Sequence, residues 1–584
     1  MWTGLSWNYQ DNAPFFGAPV TLTYTYLQSL PAYYVGVSPS LFWSVTPTAA
    51  GWFDSARNAW SQVADITWVH QPQVGNTVGQ ITFGYLPLQE VALALLPVPQ
   101  NEQKQGDIFF TTIGQSGLDN ASPRPGTVGY WTALHEIGHA LGLDHSANDG
   151  LETLFAGATE VPKSERSVLY TVMTYNHGDL FPITPMVHDI AAIQRLYGAS
   201  PFSNGGFTDD EGNTNWEFAE NSHPFSDVTT GDFDKPGNVL MTLWDPLGDQ
   251  DLVDARFMNS KVLINLRPGE FSAIGTQEGA TGAIDRTKVN VGIAFGAVIE
   301  EANGGSGDDV LIGNHVANRL DGNAGKDTLD GGLAAGAGTQ GAPRGQGDDQ
   351  ADMLIGREGA DKFLLRVGGG MDVVDDGGQS DRLEFRDSND IALPFQRLAL
   401  KEEGGDGWKS VDGRWTFAQS GSSLQVADTA SGAQAQLLNF DDGDYGVFKV
   451  DRWTVPQNPD RTFFGDRRNH DGNPATPDEI DPVDDGFGNY VRADGQDGRP
   501  DIELEDRADE FFGRSANEVE VERFLTAGGN DTVYADGLLS RTSARGGRDF
   551  IDGGAGNDFG SSSKMEVTVL SRKARSWETI SAAP

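Results

Sequence analysis

Cysteine is absent from all 584 residues. That excludes disulfides, thiolate metal sites and a cysteine nucleophile, so packing and bound cations must hold the chain together. Long apolar runs are missing as well: no stretch approaches the roughly 20 residues needed to span a bilayer, and no membrane span is expected. The opening Met1-Trp2-Thr3-Gly4-Leu5-Ser6-Trp7 has no basic region followed by an apolar run, so no secretory signal peptide is read there. Positive charge is scarce, with 41 Lys+Arg against 84 Asp+Glu and a net charge of −43. Nucleic acid and anionic membrane surfaces would be repelled and are excluded as main partners. The length is too great for one hydrophobic core and implies two to four domains.

Three compositions follow one another. Residues 1–200 have ordinary globular chemistry, with aromatics throughout and most of the histidines. Residues 201–300 carry short β-like runs such as Val239–Trp244 and Lys261–Leu266, punctuated by Gly, Pro and Asp. Beyond 300, Gly, Asp and Asn recur at a period of nine.

Gly304-Gly305-Ser306-Gly307-Asp308-Asp309-Val310-Leu311-Ile312 fits G-G-x-G-x-D-x-U-x, with U a large apolar residue. Further nonads begin at Gly313 and Gly322, with Asn318 and Asp327 sixth and Leu320 and Leu329 eighth. The register slips over Gly331–Gly345. It resumes at Gly347 and Gly356, with Asp352 and Asp361 sixth and Leu354 and Phe363 eighth. Glycines such as Gly304, Gly305, Gly307, Gly313, Gly322 and Gly325 permit turns that a Cβ would forbid. Backbone carbonyls and the sixth residues Asp309, Asn318, Asp327, Asp352 and Asp361 offer the hard oxygens that suit Ca²⁺. The eighth residues point inward to a shared narrow core. A flexible linker has no reason to keep that register. The pattern resembles the RTX calcium-binding β-roll.

Asp531, Asp549 and Asp558 share another nine-residue register near the C-terminus, with Val533 and Ile551 two places after the first two. This reads as a degenerate second array over 511–584. Between the arrays lie a β-rich stretch, 386–456, of unknown role and an Asp-rich segment, 457–510. The latter does not match the EF-hand loop and reads as a solvated linker.

The chemistry is concentrated in His135-Glu136-Ile137-Gly138-His139-Ala140-Leu141-Gly142-Leu143-Asp144-His145, an HExxHxxGxxH pattern. His135 and His139, four apart on a helix, project from one face and can share a tetrahedral metal. Glu136 lies on the same turn, within reach of a water in an open coordination position. Gly142 ends the helix in a conformation few residues tolerate, and the reversed chain returns His145 as third ligand. Three neutral histidines leave a fourth position open, which marks a catalytic rather than a structural zinc site. Asp144 and His177 fall outside this pattern and are given no role in it.

The extended motif resembles the metzincin metalloproteases. In that family a Met-turn lies beneath the metal, which the resemblance assigns to Met173 in Val172-Met173-Thr174-Tyr175, 28 residues after His145. Tyr175 matches the tyrosine that in serralysins and astacins binds zinc reversibly and stabilises the tetrahedral intermediate. Leu141–Ser146 looks much like a matrixin. The Met-turn with its tyrosine and the passage from Trp244-Asp245 through Ile299-Glu300 into Gly304 are similar to serralysins, over roughly residues 4–385. The last residues, Ser576–Pro584, lack that family's usual secretion ending, an acidic residue followed by large apolar ones; RTX repeats otherwise favour type I export.

The resemblance implies an α+β metzincin catalytic domain (1–200), a β-rich connector (201–300), an all-β parallel β-roll (301–385) and a further β-rich region. It implies a secreted, monomeric zinc endopeptidase acting on protein or peptide substrates and stabilised by Ca²⁺. Glu136 is then the general base. The substrate pairs with an edge strand before the active-site helix, for which Val91–Leu96 is the candidate; the same apolar run reads equally as a buried strand. Two rival readings are a catalytically inactive calcium-binding adhesive protein and a matrixin-like protease fused to RTX modules. The second requires Tyr175 to lie far from the metal.

Overall fold

The computed structural model describes residues 7, 17–97, 103–111, 124–146, 161–225, 235–275, 288–333, 347–375, 381–396, 398–401, 407–410, 413–441 and 444–450. From 461 to 581 it describes strands only, as backbone. Met1–Ser6, most of the slip after Gly331, the Asp-rich residues 467–501, Asp531 and Asp558 lie outside the described residues. The chain forms two compact units, Met1–Asn314 and His315–Pro584. It is β-rich with few helices.

The first unit opens with a five-stranded sheet of β1 (Val20–Tyr26), β2 (Ile66–His70), β3 (Ile81–Leu86), β4 (Ala92–Ala94) and β5 (Asp107–Thr111), in the order β2-β1-β3-β5-β4. The first four in that order run parallel, and β4 lies antiparallel on the edge, pairing Ala92 with Phe110 and Ala94 with Ile108. β3 and β5 are buried along their whole length, as expected of strands covered on both faces.

Helix α1 (Pro47–Ser61) starts where Thr46 Oγ1 accepts the Ala49 N–H and Pro47 presets the first turn. Its buried face carries Ala49, Phe53, Ala56 and Trp60, spaced for one helical stripe. Phe53 stacks against Phe83 and Phe110, with ring centroids 5.4 and 4.7 Å apart, which fixes α1 on the sheet. Helix α2 (Val128–Ala140), capped by Thr127, is almost wholly buried, its polar side chains being Thr132, His135, Glu136 and His139. The Trp60 indole of α1 donates to Leu134 O of α2 at 3.2 Å. Helix α3 (Val187–Tyr197) follows, and Tyr197 OH donates to Leu141 O at the end of α2 at 2.6 Å.

Among the described residues, the rest of this unit is short strands, most of them parallel; Phe271–Ser272 with Val291–Ile293 and Phe207–Thr208 with Thr214–Ala219 pair antiparallel. Leu252–Phe257 lies between Thr214–Ala219 and Glu301–Asn303, and Leu263–Asn265 pairs with Val310–Ile312.

In the second unit Arg319–Asp321, Met353–Ile355, Asp372–Val374 and Gln434–Leu437 form one parallel ladder, and Thr328–Asp330, Lys362–Arg366 and Arg382–Arg386 another. The eighth residues of the nonads, Leu311, Leu320, Leu329, Leu354 and Phe363, are fully buried. Within 386–456, Trp415–Ser420, Ser423–Asp428 and Gln434–Leu437 form an antiparallel meander whose last strand joins the first ladder. Arg461–Asp466 and Ile502–Glu503, inside the stretch expected to be a solvated linker, are strands paired in parallel with Asp509–Arg514 and Val521–Thr526. Parallel pairing continues at 18-residue steps, Val533 to Ile551 to Val569, and ends in an antiparallel pair, Glu566–Ser571 with Ser576–Ser581.

Candidate metal centre and its cleft

The C-terminus of α2 is built by its sequence. Gly142 adopts φ +107°, open to glycine at little cost. Its N–H reaches His139 O at 2.9 Å, and the Leu143 N–H reaches Gly138 O at 2.9 Å, the paired bonds of a Schellman cap. The turn brings Leu143 O to 2.7 Å from His139 Nδ1. His135 Nδ1 stands 2.8 Å from Val172 O. A carbonyl can only accept, so both Nδ1 atoms carry the proton and both Nε2 atoms present lone pairs.

The three Nε2 atoms form a nearly equilateral triangle, 3.1 Å between His135 and His139 and 3.2 Å from each to His145. With its Nδ1 protonated, neither helix histidine has an Nε2 hydrogen to donate, so the His135–His139 approach is not a hydrogen bond. A tetrahedron with metal–nitrogen arms of about 2.0–2.1 Å has edges of about 3.3–3.4 Å, so the triangle fits one zinc ion. Burial drives the His135 pKa down to about 4 and that of His139 well below its ordinary value, which keeps both imidazoles neutral as metal ligands must be. Among the described residues this is the one group of three or more His, Cys, Asp or Glu whose ligand atoms lie within 4.8 Å of one another.

Met173 is completely buried, and a Cβ on Gly138 would stand 2.6 Å from its Sδ and 3.1 Å from Trp60. The thioether therefore packs into the notch that Gly138 leaves beside the histidines. Tyr175 is 70% exposed, yet its ring centroid lies 5.5 Å from that of His135 and 4.7 Å from that of His145. Glu136 is buried; loss of hydration, with Glu90 adding repulsion, pushes its pKa up to about 8 against the Ala94 N–H it accepts from β4. Val91 and Ala92 line a cavity of about 620 Å³ with Val128, Trp131, Thr132, Glu90, His177 and the site residues His135, Glu136 and Tyr175.

Asp189, the third residue of α3, is a group that sequence reasoning missed. Its carboxylate accepts from Thr171 Oγ1 (2.7 Å), Val172 N (2.6 Å) and Met186 N (2.9 Å). It thus holds Val172, the residue whose carbonyl orients His135. Burial raises its pKa to about 7 despite these bonds. Between its unfolded value and about 7 the folded state holds the proton more tightly, so this group lowers stability as pH rises through that window. Asp189→Asn should remove that slope, readable as the difference in Tm between pH 4.5 and 7 for the two proteins. Asp189→Ala, which leaves three buried donors unpaired, should cost about 3–5 kcal/mol at pH 4.5 and less at pH 7, because it removes the same slope.

The acidic positions fall into columns. Asp309 accepts from Val262 N (2.7 Å) and Gly305 N (2.6 Å); Gly304 and Gly313 are buried at the starts of their nonads, and Gly307 abuts the Lys261 backbone. In the second unit Asp352 accepts from Asn318 N and Asp372 from Asp352 N; in parallel, Asp361 accepts from Asp327 N and Asp381 from Asp361 N. Gly325 pairs with Gly359, and a Cβ on Gly322 would stand 2.4 Å from Asp327 Oδ2. Asp372 and Asp381 were not recognised in the sequence because the stacking step there is 20 residues, which breaks the nine-residue count.

Asp245, Asp251 and Glu300 were also missed, having no repeat to mark them. Asp251 accepts from Thr214 N at 2.7 Å, and Glu300 accepts from Asp251 N at 3.0 Å. Asp245 Oδ2, Asp251 Oδ2 and Asp348 Oδ2 are buried without a hydrogen-bond partner. Burial raises Asp309 to about 7, Asp251 and Asp372 to about 8 and Asp352 to about 9. Buried carboxylate oxygens left without a hydrogen-bond donor are hard ligands of the kind that suits Ca²⁺.

Residues 208–392 match the peptidase M10 serralysin C-terminal family. The chain is 30% identical over 320 residues to the metalloprotease AprA of Pseudomonas entomophila, covering 52% of this chain and 60% of that protein. It is 31% identical over 337 residues to the serralysin of Photorhabdus laumondii (54% and 62%) and 31% identical over 329 residues to serralysin C of Dickeya chrysanthemi (53% and 61%). The chain thus spans about three fifths of the length of these curated relatives. The chain is serralysin-like, in agreement with the resemblance carried by its zinc motif. Among the described residues no helix is long and apolar enough to cross a membrane.

Proposed function

We propose that the chain is a secreted, calcium-stabilised zinc endopeptidase. The observation that carries this is the convergence of three Nε2 atoms at 3.1–3.2 Å, beside a buried carboxylate and a cleft lined by the edge strand β4. In this reading α1–α3 and the five-stranded sheet make a metzincin catalytic domain, and the Asp-lined ladders make an RTX roll.

His135, His139 and His145 hold zinc. When bound, zinc supplies Lewis-acid polarisation of the scissile carbonyl and lowers the pKa of water. An extended peptide adds to the free edge of β4, backbone to backbone. Glu136 accepts the proton of the attacking water as the C–O bond forms, then passes it to the leaving amine as the C–N bond breaks. The Tyr175 hydroxyl donates to the developing oxyanion. Its ring, placed against His135 and His145, favours the serralysin over the matrixin reading. Val172 O fixes the tautomer of His135, and the Trp131 indole donates to the same carbonyl at 3.0 Å. Asp309, Asn318, Asp327, Asp352 and Asp361, with Asp245 and Asp251, bind Ca²⁺, which neutralises the buried aspartates outside the cell, where the ion is millimolar.

Casein hydrolysis by the purified chain in calcium tests the reading. Activity should vanish with a zinc-selective chelator and return on adding zinc. Zinc-loaded, calcium-folded protein that leaves casein and unfolded polypeptides intact would sink it.

A further inference from the structure

We propose that Glu90 is a specificity-determining residue and that the cleft selects substrates with a lysine or arginine within four residues of the scissile bond. This rests on the endopeptidase reading and names the substrate class for it.

Among the described residues the cavity wall carries two carboxylates, Glu90 and Glu136, and neither Lys nor Arg; the other titratable groups described there are His135, His177 and Tyr175. Residues 1–200 contain only six Lys and Arg: Arg57, Lys104, Arg124, Lys163, Arg166 and Arg195. None of them lines the cavity. Arg57 is tied to Asp54 at 2.7 Å, Lys104 lies over the Tyr34 ring, and Arg166 donates to Val161 O. Glu90 is exposed and forms no ion pair among the described residues. Glu90 lies at the far end of β4 from the zinc ligands and has no basic side chain paired with it among the described residues, so its carboxylate attracts a cationic side chain and repels an anionic one.

Position makes this a matter of register. Glu90 immediately precedes Val91, whose carbonyl accepts the Thr111 N–H at 2.9 Å where the edge pairing begins. Glu136 accepts from Ala94 N at the far end of β4. Four residues of strand separate the two ends by roughly 13 Å, so a peptide laid along β4 meets Glu90 a few residues from the bond being cut. Val91, Val128 and Trp131 offer apolar walls against which the methylene stem of Lys or Arg can lie with its charged head at the rim.

The test uses the full zinc- and calcium-loaded chain on peptides built around a casein sequence it cleaves. Arg, Gln or Glu is placed in turn at each of the four positions on either side of the scissile bond. At one or two neighbouring positions the wild type should favour Arg over Glu in kcat/KM by about tenfold, with Gln between, the size expected of one partly solvated charge pair gained against one repulsion removed. Glu90→Gln should shrink that ratio to about twofold, and Glu90→Lys should reverse it. The readout is a ratio between peptides, so a general loss of activity cancels. An Arg-to-Glu ratio identical in wild type and Glu90→Gln, or a wild type without preference for Arg, would overturn the assignment and leave the endopeptidase intact. A wild type that cleaves neither casein nor any peptide would overturn both.

Discussion

Glu136→Gln should bind zinc at the wild-type stoichiometry and lose about 10²–10⁴-fold in kcat, the contribution of a positioned general base. The amide has the shape of the carboxylic acid and can still accept the Ala94 N–H, so the active-site helix and β4 stay joined. What it lacks is a basic lone pair able to take a proton from water and return it to the amine. The substitution also removes a buried acid whose charged form is opposed by burial and by the neighbouring Glu90. Thermal stability should therefore be retained or raised, which separates a chemical defect from a folding defect. Zinc content, Tm and peptide turnover on the same preparation check all three. A zinc-loaded, folded Glu136→Gln protein with wild-type turnover would refute the assignment of Glu136 as base.

Withdrawal of calcium, with zinc kept saturating, should collapse the Asp-lined strands. In the folded chain Asp309, Asp352, Asp372 and Asp251 are buried, and burial, with neighbouring carboxylates adding repulsion, raises the pKa of each and so opposes its charge. An ion that binds only the folded form stabilises it by about 2.7 kcal/mol per site at a hundredfold excess over Kd. Two such sites already reach about 5 kcal/mol, the lower end of a whole domain's stability. Chelation should lower Tm sharply and erase β-type circular dichroism, and calcium should restore both. Magnesium should not, because its strict octahedral demand is poorly met by paired carboxylates and carbonyls on a stack of turns. Unchanged spectra and Tm in excess chelator would count against the calcium reading.

The two predictions draw on features of different legibility. The metal triad could be read from the chain because its geometry is local. One helical turn sets His135 beside His139, and a glycine cap returns the chain within six residues to His145. The nonads were legible for a related reason, since each turn of a repeat is specified by its own nine residues and the apolar eighth position must face the stack. Leu320, Leu329, Leu354 and Phe363 are accordingly buried.

What the tertiary structure alone decided depends on contacts between distant segments. Asp189 reaches back to Thr171 and Val172 and so orients His135 through a backbone carbonyl. The stretch Val91–Leu96 could be read equally as buried or edge strand. Sheet order makes β4 an edge and thereby sets Ala94 against Glu136 and Glu90 on the cleft. Asp372 and Asp381 join the acidic columns across a 20-residue step, and Asp245 meets Asp251 and Glu300 in a shared electrostatic field, with no period to announce either. Motifs closed by a single helical turn or a single repeat are written in consecutive residues. A group that acts by completing another's hydrogen bond or charge balance is defined only once folding brings the two together.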